Sequence, residues 1–133
     1  AQLQDCVLDV SAGIDALATL GRSRIVLVGH SFGGAVVITA GALRDEVIAV
    51  AALSSQSYGS DLVDQLSPRP LLVAHGQADE VLPDACSRDI YRRAKEPKQL
   101  ILYPGCRHGL DQCRDDLDRD LLGWLRQVTG DSA

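Results

Sequence analysis

Methionine is absent from this 133-residue chain, and aromatic residues make up only 4% of it. With no methionine, Ala1 is not expected to be the first encoded residue, and the chain is expected to have been processed or cut. So few aromatics provide no stacking platform for nucleobases. Thirteen Lys+Arg against 18 Asp+Glu, a net charge of −5, provide no basic surface to follow phosphates, so no nucleic-acid partner is expected. There is no run of about 18 apolar residues, and the start lacks the charged-then-apolar layout of a signal peptide. No membrane partner is expected, and a soluble, cytoplasmic chain is. The cysteines, Cys6, Cys86, Cys106 and Cys113, form no C-x-x-C pair. A domain of this length buries roughly two-thirds of its unfolded surface and needs neither disulfides nor a structural metal, so they read as free thiols. Two weaker readings are a Cys106–Cys113 disulfide pinning the loop between them and a zinc site on Cys106, His108 and Cys113, which lacks a fourth ligand. Neither a cofactor nor a metal is expected.

What is present is a regular alternation. Leu3, Val7, Val10, Ile14 and Leu17 fall at helical spacing, and Ile25–Val28 follow as a short, β-branched apolar run of the kind that forms a buried parallel strand. Ala35–Leu43 predict a second helix and Val47–Leu53 a second strand. A polar stretch with a short helix at Asp61–Leu66 leads into Leu71–Ala74, a third strand. Pro83–Ala94 predict another helix, Gln99–Tyr103 a fourth strand, and Gln112–Val128 a last helix. Asp111, Asp115, Asp116, Asp118 and Asp120 around its start read as a solvated helix beginning. No repeat or low-complexity segment divides the chain, so residues 1–133 read as one α/β domain. Its sheet is mostly parallel, with about four strands and helices on both faces.

In such sheets reactive groups gather beyond the carboxyl ends of the strands. Gly29-His30-Ser31-Phe32-Gly33-Gly34 stands there, a G-x-S-x-G between a strand and a helix. A serine on that sharp turn holds its hydroxyl clear of the backbone, and the flanking Gly29 and Gly33 are expected to keep the turn free of collisions. The turn also places Ser31 at a helix N-terminus, where the Phe32 N–H can receive a developing oxyanion. Serine needs a base to take its proton. His30 adjoins it and is expected to pack rather than act. His75 ends the third strand but precedes every credible acid, whereas His108 lies in the loop after the fourth strand. Asp79, in the loop after the third strand, can hold the second nitrogen of His108, with Glu80 and Asp84 in reserve. Ser31, Asp79 and His108 therefore fall past strand ends in the order Ser…Asp…His.

The Gly-His-Ser-Phe-Gly-Gly turn, His75-Gly76-x-x-Asp79-x-x-x-Pro83 and Tyr103-Pro104-Gly105-x-x-His108-Gly109 together resemble the α/β-hydrolase superfamily. They are most similar to its dienelactone-hydrolase-like and prolyl-oligopeptidase-like branches, in the C-terminal part of that fold. The resemblance implies a serine hydrolase acting on a small carboxylic ester or related acyl substrate through an acyl-enzyme. The catalytic residues would be Ser31, His108 and Asp79. Only 47 residues separate Ser31 from Asp79, leaving no room for an inserted cap, so an open site is expected. Nothing in Ala1–Arg24 can be the loop that carries the family's second oxyanion donor. The domain is accordingly expected to lack the N-terminal strands and oxyanion loop of the full fold, leaving the Ile25 strand as a bare edge open to self-association. Two further readings fit the same residues: a truncated or inactive module acting in binding or assembly, and an acyltransferase.

Overall fold

The first helix, α1 (Gln2–Thr19), turns Leu3, Val7 and Val10 partly inward and buries Ile14, while Leu17 stays exposed near its end. The computed structural model describes residues 2–130; Ala1, on which the expectation of a processed start rests, lies outside them. After α1 come β1 (Ile25–His30), α2 (Phe32–Leu43) and β2 (Val47–Leu53). They are followed by β3 (Leu71–Gly76), α3 (Ala85–Arg93), β4 (Lys98–Tyr103) and α4 (Arg114–Thr129). Single 3-10 turns at Val63–Gln65 and Asp111–Cys113 replace the short helix expected at Asp61–Leu66 and the first turn expected of the last helix. The strands lie in the order β1-β2-β3-β4 and all pair in parallel, so every carboxyl end opens on one edge. β1 and β3 extend two residues beyond the apolar runs that predict them, through Gly29–His30 and His75–Gly76. Pairing to β2 and β4 carries the ladder past the last apolar side chain, and the extra residues are those that reach the site.

Alternation along β2 sorts the core into two layers. Val50 and Ala52 face α1, α2 and α3, packing with Ile14, Ile38, Leu66, Val73 and Ile90. Ala49 and Ala51 face the other way, and with Leu72 they form the floor beneath Trp124 of α4. The indole fits because those two positions carry only a methyl group. The Tyr103 hydroxyl donates to Asp120 Oδ2 at 2.7 Å, tying α4 to β4. Asp120 is therefore part of an interlayer contact, not of a solvated helix start. Burial, and then the Asp120 carboxylate, push the Tyr103 phenol above its ordinary range. A third cluster, Leu53, Ala74, Tyr103, Cys106, Leu110, Cys113 and Leu117, sits at the carboxyl ends of the strands and anchors the chain that follows β4. β1 is an edge strand with Val28 44% exposed.

Ile38 is fully buried and Leu8 is 66% exposed. Denaturant unfolding should show Ile38→Ala costing about 2–5 kcal/mol and Leu8→Ala changing stability by no more than about 0.5 kcal/mol.

Candidate active site

The turn from β1 into α2 is built on close backbone approach. A Cβ at Gly29 would lie 2.1 Å from the Gly33 carbonyl oxygen, so the chain can double back only if residue 29 has no side chain. Gly33 proves different from expectation, because a Cβ there meets nothing within 4 Å of this chain. The second crowded position is Gly34, where a Cβ would lie 2.4 Å from Ser55 Oγ, because α2 starts hard against the end of β2. Between the glycines Ser31 takes φ 59° and ψ −123°, a conformation that costs a residue with a side chain roughly 1–3 kcal/mol. Its N–H is bonded to the Leu53 carbonyl at 2.8 Å, so sheet pairing holds the strained residue in place. Phe32 opens α2, where the first N–H groups have no intrahelical acceptor.

Two loops complete the edge. His108 accepts the Ser31 hydroxyl at Nε2, 3.0 Å away, and donates Nδ1–H to Asp79 Oδ2 at 2.8 Å. The structure thus brings Ser31, His108 and Asp79 into one chain of contacts across 77 residues of sequence. The Asp79 side chain is fully buried, and its Oδ1 receives the N–H groups of Val81 at 2.9 Å and Leu82 at 2.8 Å. Burial alone would push this carboxyl up. The Leu82 N–H, the His108 ring and the Val81 N–H outweigh it and hold the group below its ordinary value. The reserve acids do not enter: Asp84 pairs with Arg88 at 3.0 Å, and Glu80 with Arg107 at 3.6 Å on the rim. His75 is completely buried, bonded to Ser87 Oγ and the Leu82 carbonyl, and makes no contact with Ser31.

The loops are also locked to each other. A Cβ at Gly76 would lie 2.1 Å from the Cys106 carbonyl oxygen, and that oxygen accepts the Ala78 N–H at 2.9 Å. Cys106 and Cys113 are joined by a disulfide, and only Cys6 and Cys86 are free. This corrects the reading of four free thiols, and it removes both thiolates that the zinc reading required. That reading counted the core the whole domain can bury, whereas the bond serves one irregular loop, whose backbone has no sheet or long helix to hold it. Two residues absent from the sequence-based site also matter. The His108 carbonyl accepts the Ser54 hydroxyl at 2.9 Å and the His30 Nε2–H at 2.8 Å, and the His30 ring lies 5.0 Å from the His108 ring. His30 packs, as expected, but it packs against His108. Ser54 carried one signal in sequence: a polar residue directly after a fully apolar strand. Among the described residues, Ser31, Ser54 and Leu110 are the non-glycine residues with positive φ, and all three border this edge.

Between Ser31 and Asp79 the chain forms only α2, β2, a 3-10 turn and β3, so no inserted cap covers the edge. A cleft of about 330 Å³ lined by Pro70, Pro97, Trp124 and Val128 lies at the amino ends of β3 and β4, the opposite end of the sheet, and holds no nucleophile or base.

Solved structures share this architecture. Est1E from Butyrivibrio proteoclasticus superposes with a TM-score of 0.84 at 20% identity, covering 93% of this chain and 69% of Est1E. The esterase domain of a Rhodothermus marinus protein gives 0.80 at 21%, covering 91% and 68%. A monoacylglycerol lipase from Paleococcus ferrophilus gives 0.77 at 17%, covering 95% and 76%. The chain has an α/β-hydrolase-like fold, shorter than that of these neighbours. Residues 59–112 match the family described as serine aminopeptidase, S33, a span that contains Asp79 and His108 and begins beyond Ser31. The uncharacterized protein YfhR of Escherichia coli K12 is 36% identical over 108 residues, 64% of this chain and 38% of its own length. YfhR of Salmonella typhimurium is 27% identical over 135 residues, 75% of this chain and 46% of its own length. The chain thus spans less than half the length of these curated relatives. The matches show the fold without singling out the dienelactone-hydrolase-like or prolyl-oligopeptidase-like branch.

Alkylation of the denatured, unreduced protein should add two labels, on Cys6 and Cys86, and four after reduction, read by peptide mass mapping. The folded protein keeps Asp79 ionised to lower pH than the unfolded chain does. Its contribution to stability is therefore full above the unfolded value of about 3.9 and is lost as pH falls through the lowered folded value. Denaturant unfolding between about pH 5 and about pH 2 should show a steeper loss for the native sequence than for Asp79→Asn.

Proposed function

We propose that this chain carries the catalytic residues of a serine hydrolase that cleaves carboxylic esters or related acyl substrates. The observation that carries the reading is the continuous set of contacts from Ser31 Oγ through His108 to the buried Asp79, with the serine strained at the start of α2. Ser31 Oγ attacks the carbonyl carbon while its proton passes to His108 Nε2. Asp79 keeps the other ring nitrogen protonated and stabilises the imidazolium. The oxygen that becomes negative is received by the Phe32 N–H, with a second donor supplied by chain outside these residues. As the tetrahedral intermediate collapses, His108 returns the proton to the leaving alcohol. Water then attacks the acyl-Ser31 ester, giving its proton to His108, which hands it to Ser31 as the carboxylic acid departs. The absence of a cap between Ser31 and Asp79 supports a substrate that enters from open solvent, and the esterase and lipase names of the structural neighbours favour an ester over an amide.

A fluorophosphonate probe should label Ser31 of the native protein, and Ser31→Ala should abolish labelling. With an activated ester such as p-nitrophenyl acetate, Ser31→Ala and His108→Ala should each lower turnover by about 10³-fold or more. Refusal of the probe by a folded sample would sink the reading and favour a binding or assembly module. Partition of product toward an added alcohol would favour acyl transfer.

A further inference from the structure

The loop that carries His108 makes few hydrogen bonds to the rest of the domain. The Cys106 N–H on the Tyr103 carbonyl, the Leu110 N–H on the Arg107 carbonyl and the Arg107 N–H on Gln112 Oε1 all stay between Tyr103 and Gln112. Two main-chain carbonyls of the loop reach out of it. That of Cys106, two residues ahead of the base, receives the Ala78 N–H from the loop after β3. That of His108 receives two side chains, His30 Nε2 at 2.8 Å and Ser54 Oγ at 2.9 Å. A carbonyl oxygen only accepts, so His30 carries a proton on Nε2.

The two donors flank the bond that holds the nucleophile. His30 directly precedes Ser31 at the end of β1, and Ser54 directly follows Leu53, whose carbonyl receives the Ser31 N–H at 2.8 Å. The main chain of the base is therefore fastened to both strands that set the position of Ser31, and this short path fixes the 3.0 Å between Ser31 Oγ and His108 Nε2. Ser54 holds its place at a cost: it is fully buried, with φ 48°, and its side-chain hydrogen bond is the one to His108. Asp79 and Ser31 bond only the ring nitrogens of His108 and leave its main chain free. Resting on the proposed hydrolase mechanism, we propose that His30 and Ser54 are positioning residues whose converging side-chain donors hold the His108 main chain against the strand pair that carries the nucleophile. With one donor lost, the carbonyl keeps the other. With both lost, the loop's main chain is tied out only at Cys106, and His108 drifts from Ser31.

Ring ¹⁵N NMR of the native protein, at a pH where imidazoles are neutral, tests the contact without mutation: His30 should be protonated at Nε2, and protonation at Nδ1 alone would overturn the proposal. The role is tested by the rate at which a fluorophosphonate labels Ser31 in His30→Gln, His30→Phe, Ser54→Ala and the double variant His30→Phe/Ser54→Ala, each first shown by circular dichroism to be folded. The His30 ring also lies 5.0 Å from the His108 ring, and the two substitutions of His30 separate packing from bonding. Gln keeps a donor near the place of Nε2 without a ring, and Phe keeps a ring without a donor. His30→Gln should label close to the native rate, while His30→Phe and Ser54→Ala should each label about 3- to 5-fold more slowly. The double variant should label about 10²-fold more slowly, more than the product of the single losses, because the two donors share one acceptor. A His30→Phe rate equal to that of His30→Gln, or a double variant no slower than the product, overturns the proposal; if the double variant does not fold, the Gln and Phe comparison decides. A clamp that serves stability alone would lower the unfolding midpoint and leave the labelling rate of the folded variants at the native value. A native protein that does not label at all refutes the hydrolase reading. In that event the low-field Nδ1–H resonance of His108 decides the positioning: it should persist in His30→Gln and shift or vanish in His30→Phe and in the double variant, and an unmoved resonance in all three overturns it.

Discussion

The near-collision of Gly29 with the Gly33 carbonyl is the constraint on which the rest of the edge depends. It makes the strand turn into α2 within one residue and places Ser31 in a backbone conformation that it would not adopt by preference. Pairing to β2 sustains this: the Ser31 N–H on Leu53, and the β1–β2 ladder before it. A looser turn would relax the strain and carry the hydroxyl away from His108, and the distance of 3.0 Å leaves little room for that.

Electrostatics at the acid follow from burial. A carboxylate removed from water is expensive, and Asp79 offsets that cost by collecting donors on both oxygens, two from its own loop and one from His108. Among the described residues no buried side-chain nitrogen or oxygen lacks a partner, so the polar network is closed. A closed network has one favoured arrangement, and that arrangement fixes the tautomers of His108 and His75.

The loop that carries His108 is irregular, yet it is held from several directions. The disulfide ties its start to the turn before α4, the Cys106 carbonyl receives Ala78, and the carbonyl of His108 itself receives two side-chain donors. Leu110 supplies a buried apolar anchor at the cost of a left-handed backbone. Loops with so few sheet bonds usually fray, and here side-chain contacts replace the missing ladder.

The alternation of helices and strands, the parallel sheet and the position of Ser31, Asp79 and His108 beyond strand ends were legible from apolar spacing and the glycine pattern. Those signals are local, set by the periods of helix and strand and by the size limits of a tight turn. What joined residues far apart was not legible in that way. The crowding at Gly34 rather than Gly33 and the clamp of His30 and Ser54 on His108 each depend on how separate strand ends meet. The sequence by itself determined which elements form and which chemistry they can present. The tertiary structure alone decided which polar groups share a hydrogen bond, because those partners are chosen by the packing of one loop against another and not by any spacing along the chain.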